Sequence, residues 1–150
     1  MLTLPSEEYL QIVFRSDLNV LVGRWMRQTT PSEMQQGYHD LLDVAVSQNC
    51  RRWLVDVRRR DHANQDGTPW MQQTFFPQLA PRLGSKVSLA YLFAPSHLND
   101  LEADATVPPL TYFDGRPYRV QRFVEEHIAM SWLDNCRLEE QHELSQSAIM

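Results

Sequence analysis

Apolar positions fall in short blocks along this chain, and the period within the blocks changes from one to the next. "YLQIVFR" (Tyr9 to Arg15) and "VLVGRWM" (Val20 to Met26) have the composition of strands. The polar "SDLN" between them predicts a turn, so the two should pair antiparallel. Gly23, inside the second block, marks either a bulge or a close backbone approach. In "TTPSEMQQGYHDLLDVAVSQNC" the period becomes helical: Met34, Tyr38, Leu41, Leu42, Ala45 and Val46 form one stripe, with Asp40 and Asp43 pointing away. Thr30 is the expected N-cap, Pro31 suits the first helical position, and Glu33 completes a capping box. "RWLVDV" then reads as a strand covered on both faces. Strand, helix and strand make a βαβ unit with a right-handed crossover.

Thr68-Pro69-Trp70 repeats the cap-then-proline signal and predicts a helix through "WMQQTFF", which Pro77 and Pro81 should break or kink. "KVSLAYLF" (Lys86 to Phe93) predicts another strand, and "YRVQRF" a short last one. Residues 94 to 117 are acidic and rich in proline and read as a long loop. "VEEHIAMSWLDNC" predicts a helix with Val124, Ile128 and Trp132 on one stripe. The remaining "RLEEQHELSQSAIM" reads as a polar, frayed helical tail over 135–150. The expected fold is α/β: one domain over 1–150, with a mixed sheet of four or five strands and helices packed on it.

Length and composition agree with this picture. The chain has 150 residues, 43% of them hydrophobic, which suffices for a core. A formal charge of −5 argues against nucleic acid as partner. Cys50 and Cys136 belong to no C-x-x-C pair. Two isolated thiols suit a reducing compartment, and the sequence leaves a disulfide open. The N-terminus shows neither a basic nor an apolar leader segment, and no apolar run reaches the roughly 20 residues of a membrane span. A soluble cytoplasmic protein is the expectation.

Candidate chemistry gathers after the central strand, in "WLVDVRRRDHANQDGTPW" (Trp53 to Trp70). If the strand continued past Val57, Arg58 and Arg60 would share a face with Asp56 and Leu54, and Arg59 would face the other way. Ligands in open α/β sheets collect beyond the carboxyl ends of parallel strands. Asp56, Arg58 and Arg60 belong to that rim, with Arg27, Ser96 and His97 beside them. Asp56 with Arg58 also reads as a structural ion pair. Thr68, at a helix N-terminus beside three arginines, has the surroundings of a phosphosite or a phosphate contact, and equally those of a simple cap. Trp70, Phe75 and Phe76 make a dense apolar patch, read as core, as a docking surface or as a self-association surface. The five histidines show no metal-ligand spacing, and no nucleophile elbow, phosphate-binding loop or dinucleotide fingerprint occurs. No catalytic residue, metal or cofactor is expected.

The order of elements, β-β-α-β-α-β-(β)-α, resembles the STAS-like family of anti-sigma-factor antagonists. Three stretches carry the likeness over residues 8 to 134: the passage from the second strand through "TTPSEMQQGYHDLLDVA" to "WLVDV", then "DGTPW", then "YRVQRFVEEHIAMSWL". The last is similar to the closing F-x-x-E-x-x-A-x-x-W-L pattern of STAS-like proteins also described as related to lipid-binding SEC14 domains. In the family's antagonists a strand ending in aspartate leads to a phosphorylated serine at the next helix N-terminus. Asp56 matches the aspartate and Thr68 lies near the serine's place, after an insertion-like "RRRDHANQ"; the Asp-Ser-Ser-Gly signature is absent. The resemblance implies a non-catalytic regulatory module acting in signalling through a protein partner near residues 58–68. The alternative is a domain binding a lipid or another anionic or amphipathic small ligand, in a cleft between the helix after Thr68 and the 94–117 segment. A homodimer fits the same apolar patch. Asp56, Arg58, Arg60, Thr68, Trp70 and His97 are the expected contact residues.

Overall fold

The computed structural model describes residues 2–4, 8–60, 67–84, 86–105, 107, 109 and 110–149. The chain is α/β, as expected. Its mixed sheet runs β1 (Leu2–Leu4), β2 (Leu10–Arg15), β3 (Val20–Trp25), β4 (Arg52–Asp56), β5 (Val87–Leu92) and β6 (Tyr118–Phe123), in spatial as in chain order. β1, β2 and β3 pair antiparallel, and β3 to β6 pair parallel. Five strands of five or six residues form the body, and the three-residue β1 extends its edge.

The alternation of side chains across the pleat divides the sheet into two faces. Leu21, Trp25, Trp53, Val55, Leu89 and Phe93 belong to the larger core, on one face. Helix α1 (Pro31–Gln48) covers that face, followed by α2 (Gly67–Trp70), a π-type turn (Met71–Phe75), a 3-10 turn (Phe76–Gln78) and α3 (Leu79–Leu83). On the other face Val20, Val22, Leu54, Ala90 and Leu92 meet Ala129 and Leu133 of α5 (Glu126–Ile149).

Helix α1 starts where its sequence says it should. The Thr30 hydroxyl accepts from the Glu33 N–H at 3.2 Å, and the Glu33 carboxylate accepts from the Thr30 N–H at 3.0 Å. It ends at Asn49, which turns left-handed (φ 51°) and returns its N–H to the carbonyls of Ala45 and Val46. Met34, Tyr38, Leu41, Leu42 and Ala45 are buried along the expected stripe. Gly37 lies in the same stripe because Trp25 crosses there: a Cβ would stand 2.4 Å from the indole. Gly23 pairs in regular register with Ile12, so it is no bulge. It is the close approach, since a Cβ there would lie 2.7 Å from Leu41.

Three expectations are corrected. Pro77 does not end its helix: the chain passes through the π-type and 3-10 turns and stays helical to Leu83, Pro81 included. Residues 94 to 117 are not a structureless loop. They hold α4 (Pro95–Ala103), whose Leu98 and Leu101 pack on the larger core, and a 3-10 turn (Leu110–Phe113). The tail after 135 continues α5 as one helix to Ile149. The stripe α5 buries is Ala129, Leu133, Cys136 and Glu140, while Val124 just before the helix and Ile128 within it are exposed. Cys50 and Cys136 are both buried and unbridged. Among the described residues no helix is long and apolar enough to cross a membrane.

Candidate functional site at the carboxyl rim

Strand β4 begins with Arg52 and ends with Asp56, and even-numbered positions face α5. Asp56 is therefore carried to the carboxyl rim of the parallel strands, on the α5 side, next to Arg24 of β3, with which it is in register. It is only 6% exposed. Its Oδ1 accepts from the Arg58 backbone N–H and Nε, both at 3.0 Å. Its Oδ2 accepts from Arg58 Nη2 and Arg24 Nη1, both at 2.9 Å. A carboxylate has about four lone-pair sites, and all of them are taken.

Burial alone pushes the Asp56 carboxyl toward its neutral form. The hydrogen bonds from the Arg58 side chain and backbone and from Arg24 outweigh it and hold its pKa below the usual carboxylate value. Glu126, the first residue of α5, completes the cluster: its Oε1 accepts from Arg24 Nη1 at 2.7 Å and stands 3.8 Å from Arg58 Nη2. A carboxylate there also suits the positive end of the helix. Together Arg24, Asp56, Arg58, Arg59 and Glu126 line an open cleft of about 370 Å3.

Asp56 and Arg58 thus meet as an ion pair, as the sequence suggested. Arg60 does not join them. Its N–H donates to the Val57 carbonyl at 3.1 Å, closing a turn that ends the strand alternation. Its guanidinium crosses to the larger core's face and lies 4.9 Å from the centroid of the Trp25 ring. There it borders Tyr38, whose hydroxyl is 3.0 Å from that of Tyr91. Burial raises the pKa of both phenols.

Trp70 and His97 also stand on that face. Trp70 stacks on Phe75 at 5.8 Å and meets His39 edge-on at 5.7 Å. His97, in the first turn of α4, is buried with its ring edge-on to Phe93 at 5.0 Å. The expected contact residues therefore split between the two faces: Asp56 and Arg58 on one, Arg60, Trp70 and His97 on the other.

Thr68 lies within the helical turn Gly67–Trp70. Its side chain, and with it the expected phosphosite, falls outside the described residues, as do residues 61–66 of the preceding loop. Arg27, expected at the rim, is occupied by Glu8 and by a bidentate contact to Glu33, which holds Glu33 at a pKa of about 2.

Sequence reasoning missed Arg24 and Glu126. Arg24 carried a signal, being the one charge in the apolar run "VLVGRWM" and two residues from Val22 on the face shared with Leu54. Glu126 carried none until the helix was placed.

Around the cleft the surface is mixed. Met26 is exposed and its sulfur contacts Arg59 Nη1 at 3.1 Å. Val124 and Ile128, on either side of Glu126 in the chain, are 42% and 48% exposed. Among the described residues no group of three or more histidines, cysteines or carboxylates is disposed to hold a metal. Comparison with family models, with curated proteins and with solved structures returns no match to this chain.

Proposed function

We propose that this chain is a non-catalytic, STAS-like regulatory module that binds a protein partner on the carboxyl rim of its sheet. The observation that carries the reading is the juxtaposition, at one rim, of exposed Met26, Val124 and Ile128 with Arg58, Arg59 and Glu126. Apolar side chains ringed by charge, with methionine and arginine among them, are the composition of protein interfaces. Asp56 serves this surface as a pin. Its lone pairs are consumed in fixing Arg24 and Arg58, so it holds the arginines in place and is not disposed to accept a substrate's proton. Arg58 and Arg59 at the mouth favour an acidic or phosphorylated segment of the partner.

The test is site-specific photocrosslinking in the cells that produce the protein. A photoreactive residue in place of Arg59 should yield one dominant adduct that the same residue in place of exposed Asp43 does not. Met26→Ser with Ile128→Ser should abolish it while the fold persists by circular dichroism. An adduct of twice the chain's mass would identify a second copy as the occupant. Equal labelling from positions 59 and 43 would refute the reading.

A second reading, a small anionic or amphipathic ligand on the opposite face, is favoured by Arg60. Its Nε is buried without a hydrogen-bond partner among the described residues, beside Trp25 and the Tyr38 hydroxyl. A thermal shift with fatty acids that disappears in Arg60→Met would support it.

A further inference from the structure

The opposite rim of the same sheet holds a second arginine cluster that the partner reading does not use. Arg52 opens β4 and faces α5, where its side chain is 9% exposed. Among the described residues its guanidinium meets one carboxylate, Glu140, with Nη1 3.6 Å from Oε2, beyond ordinary hydrogen-bond length. Its Nε is buried with no partner. Glu140 is itself buried and is shared with Arg51.

Arg52 lines a cleft of about 460 Å3, together with Arg51, Arg137, Asp134, Asp17 and Glu140. The charges around it do not cancel evenly. Arg15 takes Asp17 in a bidentate pair, and Arg137 takes Asp134. Glu140 then stands against two guanidiniums. The surplus positive charge rests on a side chain removed from water, which is costly unless an anion completes it. Burial lowers the pKa of Arg52, and Arg137 and Arg51 push the same way, as expected of cations crowded around an unfilled place.

We infer that this cleft binds a phosphate-bearing small molecule, its oxyanion held by Arg52 and Arg137. Guanidinium forks match the geometry of a phosphate, and the cleft's volume lies in the range of about 300–1,000 Å3 typical of small-ligand sites. The inference is independent of the partner reading, since the two sites lie at opposite ends of β4.

Isothermal titration at low ionic strength with inorganic phosphate and with glucose 6-phosphate tests it. Saturable binding is expected for the wild-type chain. It should weaken about tenfold or more in Arg52→Lys, which keeps the charge but loses the fork, and in Arg137→Ala. Arg82→Ala, at an exposed pair elsewhere, should bind as the wild type does. Arg137 stands at the surface, so its variant decides the matter even if Arg52→Lys does not fold. Tighter binding of the ester identifies an organic phosphate, and equal binding the bare anion. The inference is overturned by the absence of saturable binding of either probe, or by unchanged affinity in Arg137→Ala.

Discussion

The two ends of β4 carry the same kinds of groups and treat them differently. At the carboxyl end Asp56 receives four hydrogen bonds from Arg24 and Arg58, and Glu126 of α5 shares Arg24. At the amino end Arg52 meets Glu140 of the same helix at 3.6 Å and keeps a buried Nε unpartnered. Glu126 and Glu140 are fourteen residues apart, about 21 Å along a helix, so one helix lies across the strand with a carboxylate at each rim. Charge content does not distinguish the ends; saturation of hydrogen bonds does. The saturated cluster is structural and fixes the surface around it. The unsaturated one has capacity left for a ligand.

The contrast breaks first at Asp56. Asp56→Ala would leave Arg24 and Arg58 around a half-buried gap, and removing one partner from a buried pair costs about 3 kcal/mol. Urea denaturation at neutral pH should show that loss. The pH dependence has a definite sign. The folded pKa of Asp56 lies below its ordinary value, so its stabilisation is present above about pH 4 and is lost as pH falls through the folded pKa. The stability gap between wild type and Asp56→Ala should therefore narrow on acidification below about pH 4. A gap that stayed constant down to pH 2.5 would show that the carboxylate's charge is not what Arg24 and Arg58 answer to.

At the other end the corresponding change should be mild. Arg52→Met keeps most of the aliphatic stem and removes an under-partnered charge, while Glu140 keeps Arg51. The expected cost is below about 1 kcal/mol, and neutrality would not surprise, because unsatisfied buried charge contributes little. A loss equal to that of Asp56→Ala would erase the distinction between the two rims.

Much of this was legible in the residues. The strands from Leu10 to Leu92, the capped helix α1 and the Asp56–Arg58 pair follow from period and spacing alone, since residues two apart in a strand share a face. What escaped was whatever depends on where the chain stops obeying a period. The turn at Val57 sends Arg60 to the opposite face, and nothing in three consecutive arginines announces it. Helix α4 was hidden because its buried side, His97, Leu98 and Leu101, is short and lies between acidic residues. The buried stripe of α5 was missed because Ala129 and Cys136 are small. Larger Val124 and Ile128 drew attention to the side that faces solvent. Arg52 read as one end of a basic run; only the placement of α5 over β4 makes it a buried cation.

The exposed pair of Arg82 and Asp43, 3.1 Å apart, gives the comparison its zero. It joins α3 to α1, and the two side chains are 38% and 67% exposed. The donor and acceptor types are those of the Asp56 cluster, so type cannot explain a difference in effect. Water, however, replaces either partner when the other is removed, and holding two long side chains together costs entropy. Arg82→Ala should accordingly shift stability by at most about 0.5 kcal/mol. Raising salt to about 1 M, where the screening length falls to about 3 Å, should abolish whatever remains. The Asp56 contribution should persist under the same salt, because its partners are within 3.0 Å and largely shielded from ions. If salt erased both effects equally, burial would not be what separates a pinned cluster from a solvated pair.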